Sequence, residues 1–155
     1  MIEQYEISLA VVADAAAIAE LSRDTIERGL PWSWNVRRVA RSIRDRSTNV
    51  VVARQARGLL GFAIMKYDDE EAHLLLLAVH AAARRKGIGS ALLEWLEVTV
   101  AVSGIGIVRL ETRANNEGAR LFYRRHGFEV VGMQHGYYQG LEDALQMCKD
   151  LRRPR

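Results

Sequence analysis

The apolar run "AHLLLLAVH" at residues 72–80 is the feature that most constrains the fold of this 155-residue chain. A near-continuous hydrophobic run is typical of a strand at the centre of a sheet that is covered on both faces. The run leads through "AAARRKGIGS" into "ALLEWLEV", where apolar side chains recur on one helical face. We therefore predict a buried strand, a glycine-rich corner and a helix, within a sheet that has helices on its faces.

Shorter patterns predict the remaining elements. Asp14 is expected to cap a first helix that ends at Gly29, and Asn35 to cap a second helix. Further strands are predicted at "NVVVAR", "LLGFAIMKY", "GIVRLET", "FEVVGM" and "EDALQMCKDL". With the short helix "EGARLFYRRH", the predicted order is β-α-α-β-β-β-α-β-α-β-β. That order predicts a mixed sheet of the α/β or α+β class, in a single domain that spans residues 1–155.

The composition is that of a soluble globular protein, with 49% hydrophobic and 26% charged residues. No apolar run is long enough to cross a bilayer, and the acidic start "MIEQYEISLA" differs from a signal peptide. Cys148 is the single cysteine of the chain, which excludes an internal disulfide and a cysteine-based metal cluster. We therefore expect a cytoplasmic protein with no membrane partner.

The charge pattern argues against nucleic acid and metal as partners. The formal net charge is only +3, and a nucleic-acid-binding domain usually has a larger excess together with a recognisable reading element. The arginines between residues 37 and 46 are typical of a solvated helix face. The four histidines have no ligand spacing such as His-x-x-x-His, so no metal site is expected.

The corner "RRKGIGS" at residues 84–90 combines cations with glycines at the start of a helix. Backbone N–H groups converge on an anion where a strand passes through a glycine loop into a helix, and glycine lets a phosphate approach closely. Leu92 stands where a dinucleotide fingerprint needs its third glycine, and the Gly-Lys-Ser/Thr end of a Walker loop is missing. The residues alone leave a phosphate site and a basic turn equally open.

Two motifs resemble those of the GCN5-related N-acetyltransferase (GNAT) superfamily. "RRKGIG" is similar to its Arg/Gln-x-x-Gly-x-Gly/Ala signature, and "NEGARLFYRRHGF" to its motif Asn-x-x-Ala-x-x-x-Tyr-x-x-x-Gly-Phe. The matched positions are Arg84, Gly87, Gly89, Asn116, Ala119, Tyr123, Gly127 and Phe128. "LETRANNEGARLFY" resembles the RimI-type enzymes of this superfamily, which acetylate protein N-termini, particularly those of ribosomal proteins. The resemblance implies the GNAT fold, whose mostly antiparallel sheet is splayed between strands 4 and 5.

The resemblance also implies that acetyl-CoA is the cosubstrate. In such proteins the amides of the glycine loop hold the CoA pyrophosphate, while the preceding strand pairs with the pantetheine arm like an added β-strand. The corresponding cofactor-binding residues here are Leu77, Ala78, Val79, Arg84, Arg85, Lys86, Gly87, Ile88, Gly89, Ser90 and Asn116.

Acetyl transfer to an amine needs an uncharged nucleophile, a polarised thioester carbonyl and a proton for the departing thiolate. The resemblance makes Tyr123 the candidate acid and Glu111 the candidate base, the latter acting through a water because an ordinary carboxylate is a weak base. Without the motif, Tyr123 reads as a core aromatic. Strand alternation puts Glu111 on one face with Arg109 and Arg113, so an ion-pair role is the alternative.

Four aromatic residues are candidates for binding the acceptor: Trp32, Trp34, Tyr137 and Tyr138. "PWS" resembles the loop that lines the acceptor groove of the RimI-type enzymes, and "GYYQGLEDALQM" resembles their Tyr-Tyr hairpin. Each aromatic is equally well explained as a residue that fills space between loops and sheet.

The acceptor itself stays open at this stage. Only "QGL" separates Tyr138 from Glu142, and Leu76 stands where those enzymes often carry asparagine. The acceptor amine is a protein N-terminus or a small molecule such as a polyamine, an aminoglycoside or an amino acid. A CoA-binding regulatory module without catalysis is the alternative from another class. A homodimer is also an option, since dimers are frequent in this superfamily.

Overall fold

A computed structural model describes residues 4–56 and 58–152, and its strands and α-helices follow the predicted order. The strands are β1 (Glu6–Leu9), β2 (Thr48–Gln55), β3 (Gly58–Tyr67), β4 (Glu71–Val79), β5 (Ile107–Arg113), β6 (Glu129–Tyr138) and β7 (Glu142–Asp150). The α-helices are α1 (Ala15–Thr25), α2 (Val36–Arg44), α3 (Ile88–Val102) and α4 (Glu117–Arg125). No helix in the described ranges is long and apolar enough to span a membrane.

The strands form one 7-stranded sheet in the order β1-β2-β3-β4-β5-β7-β6. All neighbouring strands are antiparallel except β4 and β5, which run parallel. This parallel pair needs a long crossover, which α3 supplies. The predicted mixed sheet of the α/β class is therefore confirmed.

Helices cover both faces of the sheet, as the apolar run predicted. Successive side chains of a strand point to opposite faces. Val51 of β2 and Ala63 of β3 accordingly join the core formed with α3, while Val50 and Phe62 join the core formed with α1 and α2. The central strands are buried because neither face is left to solvent.

A β-bulge at Leu75 sets the direction of β4. Ile64 pairs with Leu76 and Met65 pairs with Leu74, so Leu75 has no opposite residue in β3. The bulge reverses the alternation: Leu74 packs on the α3 side and Leu76 on the α1 side. The pairing of β4 with β5 also ends at Leu74, and no later pair joins the two strands within the described residues. Beyond this point the sheet is splayed, as the GNAT fold implied.

The two predicted helix caps differ in outcome. The side chain of Asn35 accepts a hydrogen bond from the Arg38 backbone N–H at 3.0 Å, which confirms the cap of α2. Asp14 precedes α1 but its side chain does not cap this helix. A 3₁₀ turn at Val12–Asp14 comes first, so the Asp14 carboxylate bonds back to the Val11 N–H at 2.9 Å and pairs with Arg54.

The predicted end of the first helix at Gly29 is also wrong, because α1 ends at Thr25. The reason lies in the backbone just beyond it. The N–H of Glu27 bonds to the Ser22 carbonyl at 2.9 Å, a wider turn than the α-helix uses. The chain therefore leaves the helix before it reaches the glycine.

Candidate functional site

The divergence of β4 and β5 opens a groove of about 1310 Å³. Its walls come from β4, β5, the first turn of α3, α4, the α1–α2 loop (residues 26–35) and the β6–β7 hairpin. Fifteen of the candidate residues line it: Trp34, Leu77, Ala78, Val79, Arg84, Arg85, Gly87, Ile88, Gly89, Ser90, Glu111, Asn116, Tyr123, Tyr137 and Tyr138. The fold thus brings candidates from distant parts of the sequence into one cavity.

Two candidates lie outside the residues that line the groove. Lys86 is exposed on the loop before α3. Trp32 is 43% exposed, and its ring lies 5.5 Å from the Arg23 guanidinium carbon, whereas Trp34 is only 8% exposed. The sequence offered no way to decide which of the two indoles turns inward.

The glycine corner, residues 84–90, forms a backbone cradle. Gly87 has a φ of 79° and Arg85 a φ of 64°, both in the left-handed region that is uncommon for a residue with a Cβ. Gly87 is also the N-cap of α3, so the N–H groups of Ile88, Gly89 and Ser90 lie in the first helical turn and need acceptors from outside the helix. Amides arranged in this way can bind an anion such as a phosphate.

Contacts between α3 and α4 close the cradle on one side. A Cβ on Gly89 would lie 3.4 Å from the Phe122 ring, an ordinary contact distance, so the two helices pack close together at this position. The Ser90 hydroxyl and His126 Nε2 are 2.8 Å apart. Asn116 caps α4, since its side-chain oxygen accepts the Ala119 N–H at 3.1 Å. This structural role of Asn116 was missed in the sequence, although its place before a helix is a capping signal.

Tyr123 is 8% exposed and lines the groove from α4. Its ring makes edge-to-face contacts with Phe122 and Phe128, at centroid distances of 5.1 and 5.6 Å. Burial raises the pKa of the Tyr123 phenol well above its usual range. The hydroxyl therefore stays protonated at physiological pH and can donate a hydrogen bond or a proton.

The Glu111 carboxylate is held by three neighbours. One oxygen is 2.5 Å from His73 Nε2 and accepts a hydrogen bond from the Tyr137 hydroxyl at 3.1 Å. The other oxygen accepts from Arg109 at 3.2 Å. Burial alone raises the pKa of Glu111, but the hydrogen bond and charge of His73, with help from Tyr137 and Arg109, lower it overall. Glu111 is therefore ionised at neutral pH.

His73 was not among the residues singled out in the sequence. His73 in β4 pairs directly with Arg109 in β5. Glu111 lies two residues further along β5, on the same face of the sheet as Arg109. That register could not be read from the sequence, because it depends on the crossover through α3. The ion pair between Glu111 and Arg109, which the sequence offered as an alternative role for Glu111, is present in the structure. Arg109 also forms an ion pair with Glu71 at 2.6 Å.

Arg113, the second arginine on the Glu111 face, takes a different partner. It forms a two-point ion pair with Glu142 of β7. Its guanidinium also donates to the carbonyl oxygens of Arg28 at 2.6 Å and Ile26 at 3.3 Å. Arg113 therefore ties the α1–α2 loop to the sheet.

Glu27 organises the α1–α2 loop from inside and was also missed. It is 5% exposed and accepts hydrogen bonds from the N–H and hydroxyl of Ser33, at 2.7 and 2.6 Å, and from the Trp34 N–H at 3.2 Å. These bonds turn the Trp34 indole toward the groove. Arg38 stacks over that indole, with 3.7 Å between the guanidinium carbon and the ring centroid.

The β6–β7 hairpin closes the groove opposite the loop. The rings of Tyr137 and Tyr138 pack edge to face at 5.0 Å. The Gln139 side chain donates to the Pro31 carbonyl at 2.7 Å, which links the hairpin to the α1–α2 loop. Burial, together with the nearby Glu111, raises the pKa of Tyr137 to about 12. Burial also raises the pKa of Tyr138, with smaller contributions from Tyr137, Glu111 and Tyr123. Tyr138 therefore lies near Tyr137, Glu111 and Tyr123 in the groove.

Across residues 4–56 and 58–152, no group of 3 or more His, Cys, Asp or Glu side chains is placed to hold a metal ion.

Comparison with known proteins agrees with this geometry. The family described as "Acetyltransferase (GNAT) domain" matches residues 46–130. The [ribosomal protein bS18]-alanine N-acetyltransferase of Escherichia coli K12 is 31% identical over 125 residues, which are 79% of this chain and 84% of that protein. The N-alpha-acetyltransferase RimI of Mycobacterium tuberculosis is 31% identical over 146 residues, 89% of this chain and 87% of that protein.

Solved structures show the same fold over nearly the whole chain. Ard1 from Thermoplasma volcanium superposes with a TM-score of 0.85 at 25% identity, covering 95% of this chain and 97% of that one. The ribosomal-protein-S18-alanine N-acetyltransferase from Escherichia coli superposes with a TM-score of 0.82 at 27% identity, covering 98% and 97%.

Proposed function

The chain belongs to the GNAT family of acetyl-CoA-dependent N-acetyltransferases, and from that premise we propose that it acetylates protein N-terminal amines by direct transfer in a ternary complex. The observation that carries this proposal is the single groove that joins the cradle, Tyr123, Glu111 and the aromatic acceptor walls. Direct transfer requires both substrates to lie in one cavity, because the reacting atoms must meet without a covalent enzyme intermediate.

The residues of the cofactor end fit CoA. The cradle combines two left-handed residues with the amides of the first turn of α3, an arrangement that suits a pyrophosphate. From Leu75 to Val79, β4 has no partner on its β5 side among the described residues, so its backbone can pair with the amides of a pantetheine arm. The Arg84 side chain donates to the Val79 carbonyl at 3.3 Å and has to release that oxygen if the arm uses it. Bound acetyl-CoA supplies the thioester from which the acetyl group is transferred.

Tyr123 is proposed as the general acid. Its raised pKa keeps the proton on the phenol oxygen at working pH, so the donor is protonated when the thiolate departs. The proton passes to the sulfur as the carbon–sulfur bond breaks, so that no free thiolate has to form in the groove. The contacts with Phe122 and Phe128 hold the ring in place, so the hydroxyl is oriented before the reaction.

Glu111 is proposed to assist deprotonation of the acceptor amine. Its lowered pKa means that it is always ionised at working pH but is a weak base. It therefore attracts the ammonium form and accepts its proton through a water rather than by direct transfer. His73 and Arg109 fix the orientation of the carboxylate, each at a different oxygen.

The test is thiol release from acetyl-CoA across a panel of acceptors. The panel contains N-terminal peptides, the same peptides with a blocked N-terminus but a free lysine, polyamines, aminoglycosides and amino acids. We expect turnover with free N-termini and none with the blocked peptides. Turnover with small amines alone would replace the proposal by small-molecule acetylation. Tight acetyl-CoA binding without thiol release on any acceptor would favour the non-catalytic module.

A further inference from the structure

We propose that Arg38 selects acceptors with a carboxylate close to the reacting amine, such as peptides with an acidic side chain at the second or third position. This inference rests on the proposed peptide acetylation and specifies its substrate class. The observation behind it is a groove-lining guanidinium that forms no ion pair within the described residues, although the charge of the buried Glu27 carboxylate acts on it at longer range.

Arg38 differs from the other arginines of α2. The sequence predicted a solvated basic face, and Arg37, Arg41 and Arg44 are indeed exposed. Arg38 is half-buried, lines the groove, and lies 3.7 Å over the ring of Trp34. Its backbone is fixed as well, since its N–H bonds to the Asn35 cap. The side chain is therefore ordered toward the acceptor end.

The two arginines of β5 provide a comparison, because each forms ion pairs with carboxylates of the sheet. Arg113 is neutralised by Glu142, and Arg109 by Glu71 and Glu111. By contrast, the Arg38 guanidinium forms no hydrogen bond or ion pair with any residue in 4–56 or 58–152. Burial lowers the pKa of Arg38, yet arginine stays charged at every working pH. The charge of Glu27 offsets part of this effect on the pKa without forming an ion pair with Arg38. A half-buried guanidinium of this kind is stabilised further when a ligand brings a carboxylate into direct contact with it.

Apart from Glu111, which is proposed to face the reacting amine, the described residues that line the groove include only one other carboxylate, Glu27, and it is already hydrogen-bonded within the protein. This argues against acceptors with several ammonium groups. Glu27 is bonded to Ser33 and Trp34, and Glu111 to His73 and Arg109. A polyamine or an aminoglycoside needs several free carboxylates to bind its ammonium groups. The groove offers the opposite charge at Arg38, and an exposed Arg28 lines the same wall.

The stacked geometry suits carboxylate recognition. The indole of Trp34 covers one face of the planar guanidinium, so the N–H groups at its edge remain available. Those groups match the two oxygens of a carboxylate in a two-point contact. Because Trp34 holds the plane in advance, little side-chain entropy is lost when the acceptor binds.

The experiment compares matched peptides that differ only by aspartate or asparagine at the second or third position, with kcat/KM measured by thiol release. We expect the full chain to prefer one aspartate peptide by about tenfold, the scale of a hydrogen bond to a charged group. In Arg38→Gln that ratio should fall to near one, and Arg38→Lys should retain part of it. Arg38→Glu should reverse the preference toward a matched lysine peptide. Arg41→Gln is the control, which removes an exposed charge from the same helix and should keep the ratio.

Arg38→Met covers Trp34 with an apolar side chain and serves as a second neutral variant if Arg38→Gln folds poorly. An equal rate for the acidic and amide peptides in the unaltered protein would overturn the inference. So would a preference that survives in both neutral variants. Either result leaves the proposed N-terminal acetylation intact, provided the peptides are acetylated. Failure to acetylate any peptide would instead overturn the proposed function together with this inference.

Discussion

The two ends of the groove are built from different parts of the polypeptide. At the cradle the proposed binding groups are backbone amides, positioned by two left-handed residues and the start of α3 within residues 84–90. At the acceptor end they are side chains, held by bonds such as Gln139 to Pro31 and Arg113 to Arg28, which join residues 108 and 85 positions apart. A backbone site tolerates changes of side chain, whereas a side-chain site can change its ligand by single substitutions.

The largest effect is expected where the two ends meet. Tyr123→Phe removes the proposed proton donor but keeps the ring contacts with Phe122 and Phe128. We expect kcat to fall by about 10²-fold or more, the usual scale for a general acid. The Kd for acetyl-CoA, measured by calorimetry, should stay close to its original value. Unchanged turnover would remove Tyr123 from the mechanism.

The next prediction sharpens the backbone character of the cradle. Gly87→Ala adds no clash within 4 Å, but it forces a Cβ onto a residue with a φ of 79°. That conformation costs about 1–2 kcal/mol for a residue other than glycine. We expect the Kd for acetyl-CoA to rise about tenfold, while the acceptor KM changes less.

Two variants provide the controls for the cradle. Gly104→Ala meets the same strain, with a φ of 86° and nothing within 4 Å, at the opposite end of α3. It should lower thermal stability without weakening acetyl-CoA binding. Lys86→Ala removes an exposed charge and should weaken binding only about twofold. A larger loss in Lys86→Ala than in Gly87→Ala would mean that charge, not backbone geometry, dominates at this end.

The acceptor end should respond to a buried side chain that touches neither substrate in our proposal. Glu27→Gln replaces an acceptor oxygen by an N–H₂ group among the donors of Ser33 and Trp34. The α1–α2 loop should become looser because one charged hydrogen bond is lost. We therefore expect the acceptor KM to rise by about fivefold. The Kd for acetyl-CoA should stay unchanged. Glu97→Gln, which breaks the pair with Lys149 outside the groove, should lower stability alone.

The same contrast explains how much the sequence could predict. The order of elements, the cap at Asn35 and the glycine corner are local, because the residues that define them are neighbours in the chain. Glu27 and His73 carried no signal, since their partners are fixed only when the loop folds and when β4 and β5 adopt their register. The sequence of α2 predicts a single exposed basic face. Arg38 differs from the other arginines because it stacks on Trp34, and the position of that indole could not be predicted.

The smallest expected effect concerns the pH dependence set by His73. In His73→Gln the imidazole that lowers the pKa of Glu111 is lost, while the burial that raises it remains. The pKa of Glu111 should therefore rise, and the acidic limb of kcat/KM should move to higher pH by about one unit or less. A purely structural role for His73 would lower the rate at all pH values without moving the limb. His135→Gln is the matched control, because His135 is exposed and pairs with Asp143 rather than with Glu111. If both variants show the same pH dependence of kcat/KM, then Arg109 and Tyr137, and not His73, orient Glu111. The acceptor end would then depend less on the β4–β5 register than we propose.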